Sequence, residues 1–314
     1  MQTKIEHFKM TCKIIMYHYV RPIKNSNYPE IKGLEITNFK KQIKFFKENF
    51  GFQNVNFLFD ESPSDSSTPV ILTFDDGLKD HFRYVYSILK DENIQGLFFP
   101  PAKPILENIV LDVHKIHFIL SLESNKSKIV KDIFEKILLH KKEHDLDDPK
   151  NYWKRLAIPN RFDSGEVIFI KRILQRELPI SIRSDITHEL FEKYVTTNES
   201  DFSKELYLSL DEIDEMRENG MFFGSHGYSH QWLSHMSEQN LNEELGKSLE
   251  FYDRINPNGK KIMCYPYGDY NESVVTKIKK MNFVCGLTSK PGDAELNKGN
   301  LFTLNRYDTN DFPQ

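Results

Sequence analysis

Ile71-Leu72-Thr73-Phe74-Asp75-Asp76-Gly77 closes an apolar, strand-like run with two adjacent carboxylates and a glycine. Core packing alone gives no reason for that ending. Consecutive side chains on a strand point to opposite faces. Both carboxylates therefore reach one site only if the second already sits in the turn that Gly77 permits. Parallel sheets and α/β barrels gather their reactive groups at that carboxyl end.

Outward from this stretch the chain has a βαβ rhythm, which implies a parallel sheet. Upstream, residues 13–20 read as a first strand that ends near His18, followed by a loop over 21–30. Residues 39–50 carry Phe39, Ile43 and Phe46 at helical spacing, and a loop rich in Ser and Pro over 61–69 leads into the central strand. Downstream, 84–89 reads as helix and 96–99 as the next strand. The rhythm stops near residue 103 and resumes near 206, where Ser209 is a credible N-cap for a helix reaching Arg217. Strands are then predicted at 220–224, 261–265, 284–287 and 301–304, with helices at 241–251 and 273–281.

The reading that follows is a discontinuous barrel, 1–104 and 206–314, interrupted by a helical insertion over 105–205, since a structureless loop that long is improbable. Within the insertion, Ile129, Ile133, Phe134 and Ile137 form a stripe. It is expected to pack on the barrel or on a second subunit, giving a homo-oligomer, because such stripes ordinarily face a core. The insertion is also expected to shape substrate choice.

The totals exclude several classes of function. A net charge of −4 over 314 residues, with Lys and Glu spread along the chain, leaves no electrostatic footprint for nucleic acid. The first twenty residues lack the features of a signal peptide, and no window approaches the ~18 apolar residues of a transmembrane segment. The cytoplasm is the expected compartment. Cys12, Cys264 and Cys285 are odd in number and lack CxxC spacing, which argues against a disulfide framework or a thiolate metal site.

His226 and His230 are four apart and follow a predicted strand with a glycine-flanked turn, as the Asp pair does. Two histidines with one carboxylate form the open three-ligand set of a catalytic divalent ion, Zn2+ first, with Co2+, Ni2+ or Mn2+ as competitors. Such a site uses one of Asp75 and Asp76 and leaves the other as a base; a calcium-binding or turn-capping pair is the plain alternative.

Thr73-Phe74-Asp75-Asp76-Gly77 and Ser225-His226-Gly227-Tyr228-Ser229-His230 resemble the first two motifs of the polysaccharide deacetylase family, carbohydrate esterase family four, with Gly227 where Ser or Thr is usual. The resemblance covers about 12–103 and 206–310. It implies a distorted (β/α)7 barrel of the polysaccharide deacetylase type with the helical insertion, and hydrolysis of N-acetyl groups on amino sugars. By position it makes Asp75 the general base and Asp76, His226 and His230 the metal ligands. Tyr265-Pro266-Tyr267-Gly268 resembles the third motif, in which the backbone N–H at Tyr267 holds the oxyanion. Cys264 stands where the family has an arginine.

The usual late histidine is not recognisable. The branch that resembles poly-N-acetylglucosamine deacetylases takes its acid histidine from an N-terminal Tyr-His motif instead, and Met16-Tyr17-His18-Tyr19-Val20 fits that pattern, which makes His18 the acid. Arg306 is the candidate to pair with Asp75 in place of the missing arginine; an ordinary surface salt bridge is the other reading. Tyr228, Trp232 and Tyr265 are the expected substrate-binding faces, together with the ring of Tyr267; core packing is their alternative role.

The expected function is a metal-dependent N-deacetylase of a polysaccharide or of its nucleotide- or lipid-linked precursor. Hydrolysis of another C–N bond at the same metal, and a weakened carbohydrate-binding module, are the alternatives.

Overall fold

The computed structural model of the protein describes residues 10–59, 68–161, 163–257, 259–297 and 299–314. Residues 61–67 of the loop predicted over 61–69 lie outside the described residues, as do residue 60 and the first nine. The chain divides into two compact units. One comprises 1–21, 33–107 and 204–314, and the other 22–32 and 108–203.

In the first unit, β1 (Thr11–Tyr17), β2 (Val70–Asp75), β3 (Gly96–Phe99) and β4 (Phe222–Phe223) pair in parallel, each with the next. A single bridge from Ser225 to Met263 leads to β5 (Lys261–Cys264), which runs parallel to β6 (Phe283–Leu287). The short β7 (Ala294–Glu295) lies antiparallel to the start of β1. Residues 304–308 close the circle: Leu304 bridges Leu287, and β8 (Tyr307–Asp308) returns to Ile15 and Met16 of β1. The closed circuit is a distorted (β/α)7 barrel whose seventh strand is interrupted around Arg306. Of the strand predicted at 301–304 only the bridge at Leu304 exists, because 299–302 turn sharply on the way in.

In chain order, the barrel unit carries α1 (Ile36–Asn49), α2 (Ser87–Asp91), which continues a π-helical turn over His81–Tyr86, and α3 (Ala102–Glu107). The second unit holds α4 (Asp112–Leu122), α5 (Lys126–His140), α6 (Pro149–Leu156), α7 (Gly165–Arg172), α8 (Ile180–Tyr194) and the start of α9 (Glu199–Leu206). Back in the barrel unit are α10 (Leu210–Glu218), α11 (Glu238–Ile255) and α12 (Glu272–Lys280). Ser209 does cap α10, through a reciprocal capping box with Glu212.

All six residues of β2 are buried, as expected of a strand covered on both faces. Its period of two sorts them. Val70, Leu72 and Phe74 join the core shared with Phe39, Ile43 and Phe46 of α1, whereas Ile71 joins a second core with Ile14, Leu97, Ile262 and Leu287. That second cluster fills the barrel interior, and Thr73 and Asp75 continue its side of the strand. On the outer side, Tyr17, Phe74, Phe98 and Phe223 stack ring on ring across four adjacent strands, with centroids 5.1, 4.8 and 5.5 Å apart.

The second unit has its own core. The α5 stripe was expected to face the barrel or another subunit. Instead, Ile129, Ile133 and Ile137 are buried, and Phe134 packs on Phe169 of α7 at 5.7 Å. Its apolar face is spent inside its own unit, which corrects that expectation. The segment 22–32, assigned to the barrel from the sequence, groups with these helices through Tyr28, whose ring meets Phe118 edge-on at 4.7 Å.

Phe74 is the second ring of the aromatic ladder and has neighbours on both sides. Phe74→Ala should cost about 3–5 kcal/mol, as large-to-small core changes do, measured by urea denaturation.

Candidate active site and metal centre

Strand alternation aims Asp75 into the barrel, and the chain then leaves β2 through two left-handed residues, Asp76 at φ 72° and Gly77 at φ 60°. Gly77 is required twice over, since a Cβ there would also sit 2.6 Å from that of Pro100. The turn brings the second carboxylate back beside the first.

Asp75 and Arg306 form a buried bidentate pair, with Nη1 to Oδ1 and Nη2 to Oδ2 both at 2.8 Å. Arg306 also donates to the Thr288 carbonyl through Nε at 2.7 Å and to Thr73 Oγ1 at 3.1 Å. Burial alone would raise the Asp75 pKa; Arg306, with help from His226 and His18, overcomes it and holds the carboxyl at about 2. Arg306 thus lies against Asp75 in the interior, and no surface salt bridge is involved.

Asp76, His226 and His230 converge from two strand ends, with one candidate ligand atom from each residue within 4.8 Å of the others. Both imidazole Nε2 atoms face Asp76 Oδ1, at 3.5 Å for His226 and 3.4 Å for His230. Two donors bound to one tetrahedral Zn2+ at about 2.1 Å stand about 3.4 Å apart. His226 Nδ1 lies 2.7 Å from the Cys264 carbonyl, which can only accept; that nitrogen carries a proton, which leaves Nε2 as the atom turned toward Asp76 and available to an ion in exchange for a proton. Burial disfavours charge on His226, yet Cys264, Asp76 and Asp75 outweigh it and raise its pKa well above the usual value. Cationic charge is favoured at this point of the pocket, and the donor set fits a divalent ion.

His18 follows β1 directly, and its Nε2 lies 4.0 Å from Asp75 Oδ2 with the side chain 41% exposed. Its backbone carbonyl accepts from Nε2–H of His81, a fully buried ring set between Phe74 and Phe98. Tyr267 stands in a left-handed conformation, φ 58°, with its ring 4.6 Å from that of His230 and flat on Trp232 at 4.4 Å.

The other two tyrosines are engaged elsewhere. The Tyr228 hydroxyl donates to Glu107 of α3, and Lys247 lies over its ring. Tyr265, expected as a substrate face, is fully buried and donates to the Phe302 carbonyl. As a core residue on the far side of the 264–266 backbone it presents no ring to a ligand, which corrects that expectation.

Two residues of the site had no signal in the sequence. His81 lacks any motif, and Glu244, which accepts from the backbone of the 226–230 turn, sits mid-helix fourteen residues beyond His230.

Residues 186–286 match the family described as polysaccharide deacetylase. That match contains both histidines and the 265–268 turn but not the Asp75-Asp76 stretch. A relative in Bacillus subtilis (strain 168), YxkH, assigned to the polysaccharide deacetylases, is 28% identical over 100 residues, or 32% of this chain and 36% of the relative. The chain thus matches about a third of the length of that curated relative.

Solved structures share the fold. The Streptococcus pyogenes deacetylase PplD, in complex with acetate, superposes with a TM-score of 0.58 at 16% identity, covering 96% of this chain and 92% of that one. BC0361 of Bacillus cereus, a polysaccharide deacetylase, gives 0.55 at 16% identity over 96% and 66%. IcaB of Ammonifex degensii gives 0.53 at 14% identity over 94% and 90%.

Removing one partner of a buried ion pair strands the other. Arg306→Met should therefore cost about 3–5 kcal/mol, read from urea denaturation. Acid stability tests the neutral His81. Burial lowers its pKa from 6.5 to about 4, so below the unfolded value the unfolded chain takes the proton first. Stability falls as pH drops from 6.5 to 4, by about 3 kcal/mol in total from this group. Asp80, raised to about 6 by burial despite Arg21, slopes the other way from about 4 to 6, so the two must be separated by mutation. His81→Phe should flatten the His81 component in a pH series of urea midpoints while leaving that of Asp80.

Proposed function

We propose, from the match of residues 186–286 to the polysaccharide deacetylase family and the likeness to deacetylase structures, that the chain removes N-acetyl groups from an amino sugar of a polysaccharide or of its nucleotide- or lipid-linked precursor. The observation that carries this reading is the Asp76, His226 and His230 donor set, with Asp75 beside it and locked by Arg306.

Asp76, His226 and His230 would hold one divalent ion, Zn2+ first among Zn2+, Co2+, Ni2+ and Mn2+. When bound, such an ion polarises the amide carbonyl and the attacking water. Asp75, ionised across the working pH range, accepts the proton of that water, while Arg306 fixes the direction of its oxygens. The backbone N–H of Tyr267 supplies a hydrogen bond to the oxygen on which charge develops. His18, at the edge of the pocket, delivers a proton to the nitrogen as the C–N bond breaks. Acetate and a free amine leave, which balances the addition of one water. The half-buried, mutually stacked rings of Trp232 and Tyr267 offer apolar edges and faces to a sugar.

The test is acetate release from N-acetylated glycans and nucleotide sugars, with protein stripped of metal and then resupplied. Activity should require the metal. Asp75→Asn and His18→Ala should each lose roughly 100-fold or more in kcat, the scale of a lost general base or acid, with metal still bound. Metal binding without acetate release from any substrate would shift the reading to another amide or to a carbohydrate-binding role.

A further inference from the structure

The turn that carries both histidines has an unusual backbone. Gly227 has φ 75° and His230 φ 56°, two left-handed residues within four. A non-glycine residue there stays only where its surroundings hold it. Two helices supply the hold. The carbonyls of Gly227 and Tyr228 accept from Ala102 N–H at 3.2 Å and Lys103 N–H at 2.8 Å, the opening amides of α3. The amides of Tyr228 and Ser229 both donate to Glu244 Oε1 of α11, at 2.8 and 2.7 Å, and Ser229 Oγ donates to Oε2 at 2.6 Å. Glu244 is buried, and these three donors are what its carboxylate meets under the turn.

Gly227 stands where the motif ordinarily has a hydroxyl residue. A Cβ at this position would lie 3.0 Å from Glu244 Oε1. The glycine and the carboxylate therefore belong together: the one leaves room for the other beneath the loop. We propose that Glu244 is a positioning residue, which holds the 226–230 turn so that both Nε2 atoms meet Asp76. The inference rests on the reading of Asp76, His226 and His230 as ligands. It assigns a residue outside the motifs the task of setting metal affinity, as partners of ligands commonly do.

Metal affinity, rather than turnover, is the quantity to measure: metal-free protein titrated with Zn2+ against a chromophoric chelator. Wild type should bind one Zn2+, and Asp76→Ala should abolish that binding. Glu244→Ala should weaken it by about 10- to 100-fold. Glu244→Gln keeps an oxygen for both amides and should stay within about 3-fold. Should Glu244→Ala fail to fold, Ser229→Ala removes only the hydroxyl arm and should weaken binding by about 3- to 10-fold. Wild-type affinity in Glu244→Ala or in Ser229→Ala, with only the melting point of the metal-free protein lowered, would overturn the proposal. So would a Gln variant as weak as the Ala variant. Wild type that binds no Zn2+, or an Asp76→Ala variant that binds as tightly as wild type, would sink the metal reading itself and this inference with it.

Discussion

The pairing of Arg306 with Asp75 is the interaction around which the barrel unit is arranged. Both groups are taken out of water, which is costly unless geometry and hydrogen bonding compensate. Here they do: the guanidinium fork matches both carboxylate oxygens and spends further N–H groups on Thr73 and on the Thr288 carbonyl. The pair also joins the interrupted seventh strand to β2 across the interior. The carboxylate proposed as the base and a cross-link to the closing strand are the same contact.

The Asp76, His226 and His230 donor set rests on a different kind of support. Its residues sit in turns with left-handed conformations, Asp76 on one and His230 on the other. Each turn is fixed by close backbone packing or by hydrogen bonds from neighbouring elements. The Cys264 carbonyl, which accepts a hydrogen bond from His226 Nδ1, belongs to β5, so a third strand end orients one of the two histidines. Three strand ends thus contribute to the arrangement, and the barrel, rather than a single loop, is the unit that makes the site.

Much of this was legible in the sequence because it follows from local rules. Period-two alternation put Asp75 on one face, and Gly77 announced the turn that returns Asp76. Spacing brought His226 and His230 together, and Ser209 marked a helix start. What was not legible depends on distant contacts. The seventh strand is only a bridge and two paired residues, too short to show periodicity. Tyr265 looked like a ligand face because it borders the 266–268 turn, but strand alternation turns it into the core. The α5 stripe was readable as a stripe, whereas its partner, Phe169 on α7, lies more than thirty residues on. Glu244 carries no motif, since any helix position that happens to lie beneath a loop can supply a carboxylate.

The broken seventh strand has a consequence in the time domain. Asp75 and Arg306 are 231 residues apart in the chain, and contacts of such separation form late because a long loop must close before they stabilise anything. Until residues 304–308 dock, the Asp75 carboxylate lacks its Arg306 partner, and burying it unpaired is costly. Docking of that one short segment both pairs the Asp75 carboxylate and completes the circuit of strands, so the two are tied to the same contact.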